Sequence, residues 1–229
     1  MDDVDHRLSK LILALTVSGA ALNLASSLRS RGPRRAAALL MLGIGLPAIG
    51  ELLATGPLRL LRHRTRPRVA GVPVSILLGW YCAINGSVTV AENALDALPM
   101  EDPTREKLLP LVAALVGTSL DLVLDPAGLD AGLWEWERDG AYANEIKGTN
   151  GQSGVPLVNY AGWLLLVGGV ASVNGKVFGE RRPSARLPVL LLLFPYLAAV
   201  WWAVRRGRFR YPLYSALFPV ALVVGSLRR

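Results

Sequence analysis

The chain has 229 residues, 52% of them hydrophobic and 18% charged, with a net charge of +8, and its mean hydropathy is +0.38. That is too apolar for a soluble domain of this length, so it reads as an all-α, polytopic integral membrane protein forming a single transmembrane domain. One cysteine, Cys82, and two histidines, His6 and His63, are too few for a disulfide framework or a Cys/His metal cluster, and no metal or cofactor is expected.

A bilayer core about 30 Å thick takes about 20 mostly apolar residues. Seven runs meet that requirement: 8–28, 35–55, 69–90, 108–124, 155–173, 187–204 and 211–227. The first does not read as a signal peptide, because Asp2, Asp3 and Asp5 dilute its basic start and no small-residue cleavage site closes it. The second ends near Glu51, which follows fifteen uncharged residues, and a short basic connection, 56–70, leads into the third. The fourth ends near Asp121 and Asp125. The connection after it, 126–153, carries Asp130, Glu135, Glu137, Asp139 and Glu145 beside Trp134, Trp136 and Tyr142. Residues 148–154 are rich in Gly, Asn and Ser and read as flexible, which suits a lid or binding segment. The seventh run is short and carries Pro212 and Pro219, tolerated in membrane helices when neighbours satisfy the freed carbonyls. The first, sixth and seventh runs show no paired motif and are expected to be packing helices.

The excess positive charge is almost all arginine in the connections, at 29–35, 59–68, 181–186 and 205–210. Arginines that flank apolar spans meet anionic lipid headgroups and set topology, so a nucleic-acid partner is not expected.

An internal repeat organises the middle of the chain. Gly71-Val72-Pro73, five residues, then Gly79-Trp80 recurs as Gly154-Val155-Pro156, five residues, then Gly162-Trp163. Each copy opens an apolar run and follows another that ends near a carboxylate. Spans two and three thus relate to spans four and five as a parallel duplication, which puts both intra-repeat connections, Glu51, Asp121 and Asp125 at one membrane face. Proline suits a helix start because its missing N–H is unpaired there anyway.

Ionisable residues within a span are costly and point to function. Asp121 and Asp125, four apart, share one helix face. Two close carboxylates do not both ionise cheaply, so one is expected to hold its proton, as a general acid must. The alternative is that Asp125-Pro126 ends the helix while Asp121 bonds a neighbouring one. Glu51 occupies the place in the first copy that Asp121 has in the second; its alternative is an interfacial side chain reaching water. Asn159 shares a face with Trp163, and the first copy has Ile76 in its place, so the repeat geometry does not impose the polar residue. Trp134 and Trp136 suit either the interfacial aromatic belt or stabilisation of a passing carbocation.

These residues carry a family resemblance. Asp121-x3-Asp125-Pro126, Gly132-Leu133-Trp134-Glu135-Trp136, Gly140-Ala141-Tyr142 and Gly154-Val155-Pro156-Leu157-x-Asn159-Tyr160-x-Gly162-Trp163 resemble the membrane carotenoid biosynthesis proteins that include carotenoid 1,2-hydratases and bisanhydrobacterioruberin hydratases. Glu51 with Gly56, and the first GVP with Gly79-Trp80, are similar to that family's earlier half. Two departures stand out: residues 57–64 lack the family's Pro-Phe-Gly segment and tyrosine pair, and 143–153 are inserted before the second GVP.

The resemblance implies addition of water to the terminal isopropylidene double bond of an acyclic C40 or C50 carotenoid. Asp121 or Glu51 would give the proton and Asp125 and Asn159 would handle water. Trp80, Trp134, Trp136, Tyr142 and Trp163 would line the substrate, with no cofactor. It also implies a prokaryotic cell membrane, with the substrate reaching the site from the lipid between helices. Two alternatives remain: a non-catalytic carotenoid- or isoprenoid-binding membrane protein, and a small-solute transporter. Transporter repeats usually place charges near the bilayer midplane, whereas these acids gather toward one face.

Overall fold

A computed structural model describes residues 6–178 and 186–226; Asp2, Asp3, Asp5, Arg181 and Arg182 lie outside them. The element order is α1 (His6–Arg31), α2 (Pro33–Thr55), β1 (Leu61–His63), β2 (Arg68–Val69), β3 (Val72–Pro73), α3 (Val74–Asp96), α4 (Asp102–Asp130), β4 (Trp134–Trp136), β5 (Tyr142–Lys147), β6 (Ser153–Val155), α5 (Leu157–Phe178), α6 (Arg186–Arg205), α7 (Arg210–Tyr214) and α8 (Leu217–Ser226). Among the described residues six helices, α1 to α6, are long and apolar enough to cross a membrane. The protein is an all-α polytopic bundle with three short two-stranded ladders.

The central helix is α3, packed against α1, α2, α4, α6 and α8. Lipid tails are as apolar as leucine, so close approach through small residues, rather than water exclusion, holds such helices together. Gly86 of α3 accommodates Leu192 of α6, and Gly117 of α4 accommodates Val167 of α5; an added Cβ would come within 3.0 Å of each neighbour. Side-chain amides reinforce the seams: Asn85 Nδ2 donates to Asn23 Oδ1 at 2.6 Å and to Ser27 Oγ at 2.9 Å, tying α3 to α1. α1 is therefore more than an apolar packing helix.

The expected seventh span is not one helix. α7 has five residues and α8 ten, and ten residues rise only about 15 Å. Pro219 cannot donate to the carbonyl of Ser215, and the chain turns at Ser215 and Ala216. Ser119 of α4 mends the break: its Oγ donates to Ser215 O at 2.9 Å and accepts from Phe218 N at 3.2 Å. The broken segment runs from Tyr211, whose ring lies 5.7 Å from that of Tyr142, to Gly225, packed on Asn93 and Ala94 near the far end of α3.

The expected helix starts shift slightly for a reason the repeat itself supplies. In both copies the glycine takes a left-handed backbone, φ +89° at Gly71 and +75° at Gly154, which only glycine adopts without strain. The valine that follows is buried, and the helix begins just past the proline, at Val74 and Leu157. Val69 and Val155 consequently belong to strands β2 and β6 rather than to helices.

Both intra-repeat connections lie at one end of the bundle, as the duplication requires, and they pair. β1 and β4 are antiparallel, with Leu61 opposite Trp136, Arg62 opposite Glu135 and His63 opposite Trp134. Arg64 Nη1 donates to Glu135 Oε1 at 3.1 Å, and Glu135 is only 1% exposed. The charge attraction between the connections is thus a buried contact. The inserted 143–153 and the segment 148–154 are not a loose lid. They form the β5–β6 hairpin, pinned to β4 by Asn150 Nδ2 donating to Trp136 O at 2.8 Å and by the Thr149 hydroxyl on Glu135.

Candidate functional site

α4 runs 29 residues, so Asp125-Pro126 does not end a helix; both residues lie inside it. Asp121 sits about 14 Å and Asp125 about 8 Å along the axis from the last residue of α4. Pro126 lacks the N–H that would pair with the carbonyl of Leu122. That carbonyl accepts instead from the Tyr142 hydroxyl at 2.7 Å. Burial, with Tyr211 and Tyr214 alongside, pushes the Tyr142 phenol up and keeps it a donor. The helix is carried through the proline, and the inserted hairpin is anchored beside the two acids.

Asn159 bridges Asp121 and Asp125. Its Nδ2 donates to Asp121 Oδ2 at 2.7 Å and to Asp125 Oδ2 at 2.8 Å, and both carboxyls are at most 5% exposed. The other oxygen of Asp125 accepts from Trp134 Nε1. The Trp134 ring reaches it by lying flat on Gly128, where an added Cβ would collide with the indole.

Glu51, from the first copy, has the same kind of setting. Its Oε1 accepts from Trp80 Nε1 at 2.8 Å, and its Oε2 lies 2.8 Å from His63 Nε2. Glu51 is 9% and His63 4% exposed, so it does not reach water as an interfacial glutamate would. Trp80 in turn meets Trp163 with ring centroids 4.1 Å apart, and Trp163 is one turn beyond Asn159 on α5. A continuous set of side chains thus runs from His63 and Glu51 through the two indoles to Asn159, Asp121, Asp125 and Trp134.

The remaining expected residues are close by. Tyr142 packs edge-on against Tyr160 at 5.2 Å, and Trp136 is buried in the core. Trp134 bonds Asp125 and Trp136 is enclosed, so both side chains serve contacts within the protein. A Cβ on Gly79 or Gly162, the glycines preceding Trp80 and Trp163, would meet no atom of a neighbouring element within 4 Å.

His63 escapes a reading of the sequence because a lone histidine in an arginine-rich connection has no periodicity to mark it. Tyr160, 7% exposed with a hydroxyl that has no partner among the described residues, escapes it because its place in the motif says nothing of its surroundings. Asp130, read as part of the connection, ends α4 and accepts from Trp202 Nε1 at 2.8 Å, with Arg206 and Arg208 at 3.2 and 3.3 Å. It fastens α6 and is remote from the acids' bonds. Among the described residues, no group of three or more His, Cys, Asp or Glu is placed to hold a metal ion.

The family described as carotenoid biosynthesis protein matches residues 11–223, nearly the whole chain. The chain belongs to the carotenoid biosynthesis protein family. No curated protein and no solved structure matches it. Membership in the carotenoid biosynthesis family and six apolar helices together make it a membrane protein with a long isoprenoid-type substrate class. For this member of the family, the carboxylates from both halves of the duplication lie in one network, and the altered segment 57–64 supplies His63 to it.

Proposed function

We propose that the protein hydrates the terminal isopropylidene double bond of an acyclic C40 or C50 carotenoid. The observation that carries this reading is the Asn159 amide held by two buried carboxylates while a third, Glu51, stands across a tryptophan pair from it. A neutral carboxylic acid, Asp121 or Glu51, transfers its proton to the less substituted alkene carbon, leaving a tertiary cation on the other. The faces of Trp80 and Trp163 stabilise that cation through their ring quadrupoles. Water held by Asp125, Asn159 and the Tyr160 hydroxyl adds to the cation and loses its proton to a carboxylate, so the net change is one water gained. A buried site strengthens each of these interactions, and acid–base catalysis of this kind contributes about 10²–10⁴-fold.

His63 and Trp134 orient Glu51 and Asp125 through their hydrogen bonds. The open space beside Gly79 and Gly162 suits a linear apolar chain arriving from the lipid. Membership in the carotenoid biosynthesis family supports the substrate class.

The test is chromatography with mass detection of pigments from a lycopene-producing bacterial host expressing the chain, beside Asp121→Asn and Glu51→Gln. A product heavier by one water that disappears in either variant is the expected result. Membrane-inserted protein that leaves every acyclic carotenoid offered unchanged, while a pigment co-purifies with it, would replace hydration by a binding role.

A further inference from the structure

The end of the bundle opposite the carboxylates carries a second buried polar cluster, one that the hydration chemistry does not use. Arg31, at the end of α1, and Arg35, in the first turn of α2, converge on Glu92 of α3. Arg31 Nη1 donates to Glu92 Oε1 at 2.7 Å and its Nη2 to Thr89 Oγ1 at 2.8 Å, while Arg35 Nη2 reaches Glu92 Oε1 at 2.9 Å. All three charged residues are less than 10% exposed. Two guanidiniums gathered on one carboxylate where three helices meet fix the position of Arg35 closely.

Arg35 also lines a groove of about 390 Å³ between the start of α4 and the end of α5. Lys107 and Lys176 stand in its wall, and among the described residues that line it Glu106 is the one acid, so the described cations outnumber the anions. Leu109, Pro110, Ala171 and Gly175 give the same groove an apolar side. A cationic rim continuous with an apolar wall, at the end of membrane-crossing helices, matches one kind of molecule: a phosphate group attached to an acyl chain.

We propose that this groove binds an anionic phospholipid, its phosphate between Arg35, Lys107 and Lys176 and one acyl chain along Leu109, Pro110 and Ala171. The volume admits a phosphate with its glycerol, and the apolar side leads along α4 and α5 toward the bilayer interior. Basic pockets between membrane helices recognise lipid headgroups in this way. The site is independent of the carboxylates at the other end.

The experiment uses the full chain purified in mild detergent. Native mass spectrometry is expected to find one phosphatidylglycerol or cardiolipin retained per chain. The Lys107→Gln/Lys176→Gln double variant leaves the buried Arg31–Arg35–Glu92 cluster intact. It is expected to bind added phosphatidylglycerol about 30-fold more weakly, about fivefold per lysine removed. In delipidated protein, phosphatidylglycerol should raise the thermal midpoint while phosphatidylcholine and inorganic phosphate do not. Equal retention by the variant, equal stabilisation by phosphatidylcholine, or a full shift from inorganic phosphate alone would each overturn the proposal.

Discussion

His63 and Trp134 face each other across the β1–β4 ladder, and each holds a different buried acid: His63 bonds Glu51 and Trp134 bonds Asp125. Directly opposed residues on an antiparallel pair have Cβ atoms about 5 Å apart. The ladder therefore sets the two halves of the duplication at a fixed distance, and a disturbance on either strand reaches both acids. His63→Leu and Gly128→Ala, the latter forcing the Trp134 ring off its seat, are each expected to lower turnover about tenfold or more with the protein still inserted and folded. Product analysis in the pigment-producing host, beside a thermal unfolding curve for each variant, checks this.

Asn159→Ile installs in the second copy the residue that the first copy carries at Ile76. It removes one donor shared by two buried carboxyls, and hydrogen bonds to charged groups are worth about 2 kcal/mol. Loss of hydrated product with a fall of that order in stability is the expected outcome; wild-type product levels would remove Asn159 from the site.

Gly79 and Gly162 separate catalysis from folding. A leucine at either position enters space in which a Cβ meets no atom of a neighbouring element, and glycine is the poorer helix former. Stability should hold or rise. Turnover is expected to fall about tenfold or more because the leucine occupies the substrate's path. Unchanged turnover in both variants would move that path elsewhere.

The hairpin has its own acid sensitivity. Glu145 accepts from Tyr211 and Arg210. Burial pushes its carboxyl up, but those partners outweigh burial and hold it below the ordinary 4.5, while the Tyr211 phenol is pushed up to about 12. A depressed carboxylate contributes stability that is fully present above about 4.5 and lost as pH falls from there. Glu145 is partly exposed, so the effect is small. Thermal midpoints measured between about pH 6 and pH 3 should drop less steeply for Glu145→Gln than for the parent chain.

Ser119→Ala removes the hydroxyl that bonds both Ser215 O and Phe218 N and leaves these two only their bond to each other at 3.1 Å, at a cost of about 1 kcal/mol. A thermal midpoint lower by several degrees, with Ser119→Thr closer to the parent, is expected. Equal stability of all three would mean that the break is satisfied by other means.

Much of this arrangement is legible in the sequence. The spacing of Asp121 and Asp125 puts them on one face, and the parity of the duplication brings Glu51 to the same end. Asn159 stands out because Ile76 replaces it in the other copy. What stays hidden is held by tertiary partners. Pro126 reads as a helix end because nothing local announces that Tyr142, sixteen residues later, will satisfy the carbonyl it frees. Residues 148–154 read as flexible because glycine and asparagine suit both a loose linker and a hairpin tip, and only the contacts with Glu135 and Trp136 decide. Arg31 and Arg35 read as lipid-facing charges until Glu92, two residues past the apolar stretch expected for the third span, is seen between them.

The break at Ser215 has a consequence for biogenesis. The ten described residues of α8 rise only about 15 Å against a bilayer core of about 30 Å, and α8 takes its place from Ser119 of α4 and from the Asn93–Ala94 end of α3. This segment is therefore expected to dock only once α3 and α4 stand side by side, which makes its contacts a reporter of their assembly.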